Sequence, residues 1–264
     1  MAEWSHHVPP SAQLSQVDAR SWSSIEFISD IHLQSSEPDN FAAWSSYLHN
    51  VQADALFILG DLFEVWVGDD LLEHTEGAFE RGCLHLLHQT SLRLPIYWLV
   101  GNRDFLLGER ALQASGMQAL SHPCVVQTAH TNWLLSHGDA LCVADTDYQA
   151  FRHTVRSAPW QEAFLSQPLT QRLQTARDLR QQSEARKALQ HTWVDVDSDS
   201  AVACLNQHHS SVLIHGHTHQ AACHALPQGQ QRWVLSDWEA SATPPRLQAL
   251  RWEAATGFAP RALV

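Results

Sequence analysis

Apolar residues along this chain come in two rhythms. Short runs rich in β-branched and aromatic residues recur: SIEFIS (24–29), ALFIL (55–59), IYWLV (96–100), CVVQTA (124–129), NWLLS (132–136), SVLIH (211–215), RWVLS (232–236) and LQALRW (247–252). Each predicts a strand. Between the early runs the spacing widens to that of a helix. NFAAWSSYLHNV places Phe41, Trp44, Leu48 and Val51 on one face, and FERGCLHLLHQ does the same with Phe79, Cys83 and Leu86 or Leu87. Strands alternating with helices predict an α/β domain. The tryptophans and leucines of these patterns read as its core.

From about residue 145 to 209 the strand rhythm stops. YQAFRHTVRSAPW and LTQRLQTARDLRQQSEARKALQ are helical, with no strand candidate between them. This predicts a helical insertion within a domain spanning 24–264. Its basic residues cluster at Arg152, Arg156, Arg172, Arg177, Arg180, Arg186 and Lys187, and the plain reading of such a run is a solvated helix face. Residues 1–23 lack the basic start and apolar middle of a signal peptide. They predict a flexible N-terminal extension.

The strand ends carry the chemistry. FISDIHL ends with Asp30 and His32, LFILGDLFE with Asp61, YWLVGNRDF with Asn102, WLLSHGDAL with His137, and VLIHGHTHQ with His217 and His219. Side chains two apart on a strand point the same way, so a carboxylate and an imidazole can converge on one ion. Gly60, Gly101, Gly138 and Gly216 sit beside these residues, allowing tight turns and close backbone approach. In open α/β sheets ligands bind outside the carboxyl ends of the strands, and every one of these groups falls there. A lone Asp after a strand is usually a helix cap, and a lone His a satisfied polar group. Five blocks together point to a metal centre.

Charge and cysteines narrow the setting. Acidic residues outnumber basic ones 28 to 16, a net charge of −12, which argues against a nucleic-acid partner. Contact with an anionic membrane must then be local and largely apolar. The five cysteines, Cys83, Cys124, Cys142, Cys204 and Cys223, show no C-x-x-C spacing and read as free thiols in a reducing compartment. No apolar run approaches the ~20 residues of a membrane span. A cytoplasmic protein is expected.

The five blocks, D-x-H, G-D, G-N-R-D, H-G-D and G-H-x-H, resemble the calcineurin-like metallophosphoesterases. That resemblance implies a sandwich of two mixed β-sheets flanked by helices, here with a helical insertion as a lid. It implies two metal ions, one held by Asp30, His32, Asp61 and His219, the other by Asp61, Asn102, His137 and His217, with Asp61 bridging. His215 is then a neighbour that either orients the site or satisfies a backbone carbonyl. Oxygen and imidazole donors without thiolate favour Mn²⁺, with Fe²⁺ or Zn²⁺ possible.

Many relatives carry histidine after the asparagine; this chain has Arg103. A guanidinium that never deprotonates is a poor general acid but a good phosphate clamp. The leaving group should therefore depart with little protonation, as a phosphate does from a pyrophosphate. The wider wording, LFILGDLFEVWVGDD, GNRDFLLGERALQASGM, HGDALCVADTDYQAFR, LIHGHTHQAACH and VLSDWE, resembles the UDP-2,3-diacylglucosamine hydrolase family of lipid A biosynthesis from about Ser24 to Trp238. That family cleaves the pyrophosphate of UDP-2,3-diacylglucosamine to UMP and 2,3-diacylglucosamine 1-phosphate (lipid X), by metal-activated water attack on the α-phosphorus.

The resemblance implies a catalytic set of Asp61, Asn102, Arg103 and His217, with Asn102, Arg103 and His217 facing the phosphates. Asp145 and Tyr148 would contact substrate, Asp145 at the sugar. Ser183 and Lys187 are the best match to further contacts on an insertion helix, or else an ordinary exposed helix face. Phe151, Trp160, Phe164 and Leu165 would line the acyl chains or pack the insertion on the core. The family's place is the cytoplasmic face of the inner membrane, bound peripherally, with no protein partner implied. Two alternatives remain on the residues alone: a nucleotide pyrophosphatase or phosphodiesterase for soluble substrates, and a binding module that kept the fold.

Overall fold

Alternate residues along each strand part into different cores, and this sorting builds the architecture. The structure, a computed structural model, describes residues 13–189 and 194–263, without the side chains of 182–189. In chain order its elements are β1 (Leu14–Asp18), β2 (Ser24–Ile28), α1 (Pro38–Asn50), β3 (Ala55–Leu59), α2 (Ala78–Ser91), β4 (Ile96–Leu99), α3 (Glu109–Ser115), β5 (Gln118–Gln127) and β6 (Asn132–Leu135). There follow α4 (Thr146–Val155), α5 (Ala158–Leu165), α6 (Leu169–Leu189), α7 (Ser198–Gln207), β7 (Val212–His215), β8 (Ala222–Ala225), β9 (Gln231–Val234), β10 (Gln248–Glu253) and β11 (Gly257–Ala262).

The strands form one mixed ladder in the order β11-β10-β2-β3-β4-β5-β6-β7-β9-β8, with β1 added on β5. Strand β5 divides it into two leaves. Its start, Gln118 to Leu120, pairs parallel with β4, and its end, Cys124 to Gln127, pairs antiparallel with β6. Pro123, which has no N–H for a ladder, lies between the two halves. The leaves curl face to face. Phe27, Phe57, Tyr97 and Leu99 of one meet Trp133, Leu135, Val212 and Ile214 of the other in a shared core. The intervening residues point outward, as a period of two requires. Leu56, Ile58, Ile96 and Trp98 pack on Trp44, Leu84, Leu87 and Leu112 from α1 to α3. On the far side Leu134 and Leu213 pack on Ala201 and Leu205 of α7. The expected sandwich is thus a single curled ladder between two helical layers.

Residues 14–18 were expected in a flexible extension and instead form β1, which pairs parallel with β5 and buries Val17. LSQVD offers one apolar residue to a core, and its pairing partner is remote in sequence. Helix α7 was expected in the insertion, yet it packs on the sheet as the crossover between the parallel strands β6 and β7. The insertion proper is α4 to α6.

The insertion is anchored by a buried arginine. Arg172 of α6 is 2% exposed. It donates to the Gln167 carbonyl at 3.0 Å and to Asp70 Oδ1 at 2.9 Å, and reaches the Val67 carbonyl as well. Removing one member of such a group leaves the rest buried without a partner. Arg172→Met should cost about 3 kcal/mol, the low end of the range because Asp70 remains partly exposed. Urea unfolding and amide exchange across α5 and α6 measure it. An unchanged midpoint together with unchanged protection would show that the anchor lies elsewhere.

Candidate metal centre

Strands β2, β3, β4, β6 and β7 all deliver their carboxyl ends to one edge, and at that edge the backbone turns sharply. Asp30, His32, Asp61, His217 and His219 all adopt left-handed conformations, with φ of 53°, 52°, 51°, 67° and 56°. This region costs a non-glycine residue roughly 1–2 kcal/mol. Hydrogen bonds between the loops hold it: Asp30 N–H donates to the Gly60 carbonyl at 3.2 Å, His32 N–H to Asp61 O at 3.0 Å, and Gly216 N–H to His137 O at 3.0 Å. The loops pack so closely that a Cβ on Gly101 would lie 2.1 Å from Asp61 Oδ1, and one on Gly216 would lie 2.2 Å from Asp30 Oδ2.

Each carboxylate commits one oxygen to the scaffold and turns the other to the centre. Asp30 Oδ2 accepts from Ser29 Oγ at 2.7 Å and from His217 N at 2.9 Å. Asp30 Oδ1 is buried without a hydrogen-bond partner among the described residues, 3.3 Å from His219 Nε2 and 4.0 Å from His32 Nε2. Asp61 Oδ1 accepts from Arg103 N at 2.8 Å, while Oδ2 lies 3.6 Å from His137 Nε2. Asn102 Oδ1 sits 2.9 Å from His137 Nε2 and 2.8 Å from His217 Nδ1. All seven residues expected as ligands are therefore brought to one place. Donor atoms of Asp30, His32 and His219, and again of Asp30, Asp61 and His137, lie within 4.8 Å of one another.

The imidazoles are oriented from behind. His137 Nδ1 lies 2.9 Å from the Leu59 carbonyl, which requires its proton there and turns Nε2 to the centre. His32 Nδ1 lies 3.0 Å from Glu64 Oε2. His219 Nδ1 lies 3.6 Å from Asp237 Oδ2, and Arg246 clasps Asp237 at 2.9 and 2.8 Å. Glu64 and Asp237 were not anticipated. They stand in the blocks GDLFE and SDWE, but only the fold shows which imidazole each meets.

Electrostatics test whether cations fit. Burial lowers the pKa of His137, but the carboxylates of Asp61, Asp30 and Asp139 outweigh it and raise it to about 9. Burial would raise Asp30, yet His219, His137 and His32 hold it below the usual carboxylate range. His217 is pushed down to about 3 by burial and then by the charge on His137. The centre thus demands positive charge, while part of its imidazole set is held neutral as a ligand must be. Orphaned Asp30 Oδ1 and the acceptor Asn102 Oδ1 facing two imidazoles suit divalent cations.

The centre opens into a cavity of about 770 Å³ that Asn102, Arg103, Asp145, Tyr148 and His217 line. Arg103 lies 3.5 Å from Glu64. Asp145 caps α4 by accepting from Tyr148 N at 3.1 Å, and Tyr148 donates its hydroxyl to Asp139 at 2.8 Å. Phe151 and Trp160 also line the cavity. Phe164 and Leu165 pack the insertion onto the core, Phe164 stacking on Trp160 with ring centroids 4.9 Å apart. The side chains of Ser183 and Lys187 lie outside the described residues. His215 is buried, with Nδ1 2.8 Å from the Gly216 carbonyl, so it satisfies the backbone.

Fold and donor set define a metallophosphoesterase, and the model of the calcineurin-like phosphoesterases matches residues 24–221. UDP-2,3-diacylglucosamine hydrolase of Chromohalobacter salexigens is 38% identical over 243 residues, 86% of this chain and 97% of its own. That of Aromatoleum aromaticum is 40% identical over 235 residues, 87% and 93% of the two chains. The chain belongs to the UDP-2,3-diacylglucosamine hydrolase family of these phosphoesterases. Among solved structures, a dimetal phosphatase from Danio rerio aligns over 92% of this chain and 99% of its own, with a TM-score of 0.48 at 11% identity.

Two glycines give a direct test of the centre. Gly101→Ala and Gly216→Ala put a methyl group into the carboxylates of Asp61 and Asp30. Both should lose most of their bound metal by elemental analysis. Gly82 in α2 meets nothing within 4 Å, so Gly82→Ala should keep its metal and gain roughly 0.5–1 kcal/mol of stability. Full metal content in the first two variants would contradict this arrangement.

Proposed function

We propose that this chain hydrolyses UDP-2,3-diacylglucosamine at its pyrophosphate, releasing UMP and 2,3-diacylglucosamine 1-phosphate. The observation that carries the reading is the pairing of a carboxylate–imidazole centre with a cavity roofed by helices and walled in part by Phe151, Trp160 and Leu173. A generic phosphodiesterase has no use for such a wall. The names of the relatives support the same substrate.

Asp30, His32, Asp61 and His219 would hold one divalent ion, and Asp61, Asn102, His137 and His217 the other, with Mn²⁺ the best fit to oxygen and imidazole donors. When bound, such a pair supplies Lewis acidity to a phosphoryl group and an activated water. The chain's own residues do the rest. Arg103 sits at the rim of the centre, where its fork can take two phosphate oxygens. Its backbone N–H at the same time fixes Asp61. Asn102 and His217 face the same space. Attack at the α-phosphorus breaks its bond to the bridging oxygen, so the sugar leaves as a phosphate, which needs no general acid.

The acyl chains would lie under α4 to α6. Each buried methylene is worth about 0.8 kcal/mol, so two chains outweigh any polar contact. Val65 and Phe151 line the cavity and are 39% and 36% exposed. They offer an apolar landing point at its mouth, which suits peripheral contact with the cytoplasmic face of the inner membrane. Among the described residues no helix is long and apolar enough to cross one.

Arg103→Ala should keep its metals and lose roughly 10²-fold or more in rate, the scale of one transition-state charge partner. Arg103→Lys should recover little, because a point charge does not replace a fork. Near-normal turnover in the alanine variant would remove Arg103 from the reaction. Substrate choice is the second test. UDP-2,3-diacylglucosamine should be preferred over UDP-N-acetylglucosamine by orders of magnitude, and Phe151→Ala and Trp160→Ala should narrow the gap. Equal rates on the two substrates would leave a pyrophosphatase for soluble nucleotides.

A further inference from the structure

Helix α4 begins the insertion, and one face of it is bound to the loops that carry the metal-centre residues. Tyr148 Oη donates to Asp139 Oδ2 at 2.8 Å, Arg152 Nε donates to the same oxygen at 2.7 Å, and Gln149 Nε2 donates to the Asp139 carbonyl at 2.8 Å. Asp139 is fully buried and lies two residues beyond His137 on the same turn. One helical turn past Arg152, Arg156 Nη2 donates to the Gly101 carbonyl at 2.7 Å, next to Asn102. Tyr148 and Phe151 of the same helix line the cavity. A single helix thus borders the cavity and is bonded to two metal-centre loops, with Tyr148 taking part in both.

We propose that Asp139 is a positioning residue. It fixes the register of α4 on the His137 loop, so that chains held beneath the insertion keep the reacting centre in place. The inference rests on the lipid reading above and says how that binding reaches the chemistry. Energy gained far from the reacting bond raises turnover only if something rigid carries it there. A buried carboxylate with two charged or polar arms from one helix is such a connection. The role differs from that of a metal ligand, because Asp139 Oδ2 is taken up by Tyr148 and Arg152 of α4, while Oδ1 is buried 3.9 Å from His122 Nε2.

The test uses Asp139→Asn and Arg152→Met in the full chain loaded with Mn²⁺. Asparagine keeps an acceptor for Tyr148 and loses the charge that holds Arg152. Arg152→Met leaves the carboxylate and its Tyr148 bond in place, and keeps the test open should Asp139→Asn fail to fold. Metal content should match the parent in both variants. On UDP-N-acetylglucosamine the rates should change by less than about threefold. On UDP-2,3-diacylglucosamine kcat should fall roughly tenfold or more, the scale of one charged hydrogen bond, with KM changed far less. Amide exchange across 146–155 should quicken.

Equal losses on both substrates would mean a merely structural role, and loss of metal a supporting role for His137; either overturns the proposal. A parent enzyme with equal rates on the two substrates would sink the lipid reading and this coupling together. A parent that shows the preference, with variants that retain it, sinks the coupling alone.

Discussion

Negative charge buried at one edge of the sheet is the condition to which the rest of the molecule is fitted. Asp30, Asp61, Asp104 and Asp139 are all buried within the same few loops. Carboxylates in such surroundings cost several kcal/mol each unless they are paired or hydrogen-bonded. The chain compensates with backbone amides first. His217 N–H serves Asp30, Arg103 N–H serves Asp61, and Leu62 and Gly101 N–H serve Asp104, at 2.8–2.9 Å. Asp104 still carries a pKa raised to about 6, by burial first and Asp61 second. The amides fix the carboxylates without neutralising them, so the centre remains a place for cations. The left-handed residues follow from the same demand, because only a reversed turn aims amide and side chain into so small a space.

The curl of the ladder is the second requirement. Asn102 follows β4 in one leaf and His137 follows β6 in the other, yet their side chains meet at 2.9 Å. Strand β5, shared between the leaves, makes that meeting possible. Its two halves pair with different neighbours in opposite senses. A flat sheet with the same strand order would hold these two residues apart by the width of a strand. The core between the leaves, with Phe27, Trp133 and Trp252 in edge contact, fixes the angle at which they close.

This division explains what could be read from the residues alone. The side chains that meet at the sheet edge were legible because strand ends, glycines and polar pairs obey local rules, and the resemblance to a family arranged them into two candidate sets. The eight strands with strong apolar runs were legible for the same reason. Strands β1, β8 and β11 were not. β8 is mostly exposed, β11 is partly exposed and contains Pro260, and β1 has one buried apolar residue. Such strands exist because a neighbour offers an open edge, and an edge is a property of the fold. Glu64, Asp237 and Asp139 escaped notice on similar grounds. An acidic residue in a loop looks like a cap until the group opposite it is known. For Phe164 the residues alone left two places open, cavity wall or core, and the fold puts it in the core.

The centre and the insertion meet along one cavity. Carboxylates, imidazoles and Asn102 form a compact polar cluster, and the apolar side chains of the cavity come from elsewhere. The insertion contributes Phe151, Trp160 and Leu173 to that lining, and it is attached at two kinds of point. Arg172 ties α6 to the loop around Asp70, remote from the ligands, while Asp139 and Arg156 tie α4 to the ligand loops themselves. The first attachment fixes α6 and the second fixes α4 beside His137 and Asn102. Arg103 joins the two systems, because its backbone holds Asp61 while its side chain shares Glu64 with Arg180 of α6. Glu64 also supports His32. One carboxylate therefore connects a metal-centre imidazole, an arginine that lines the cavity and a helix of the insertion.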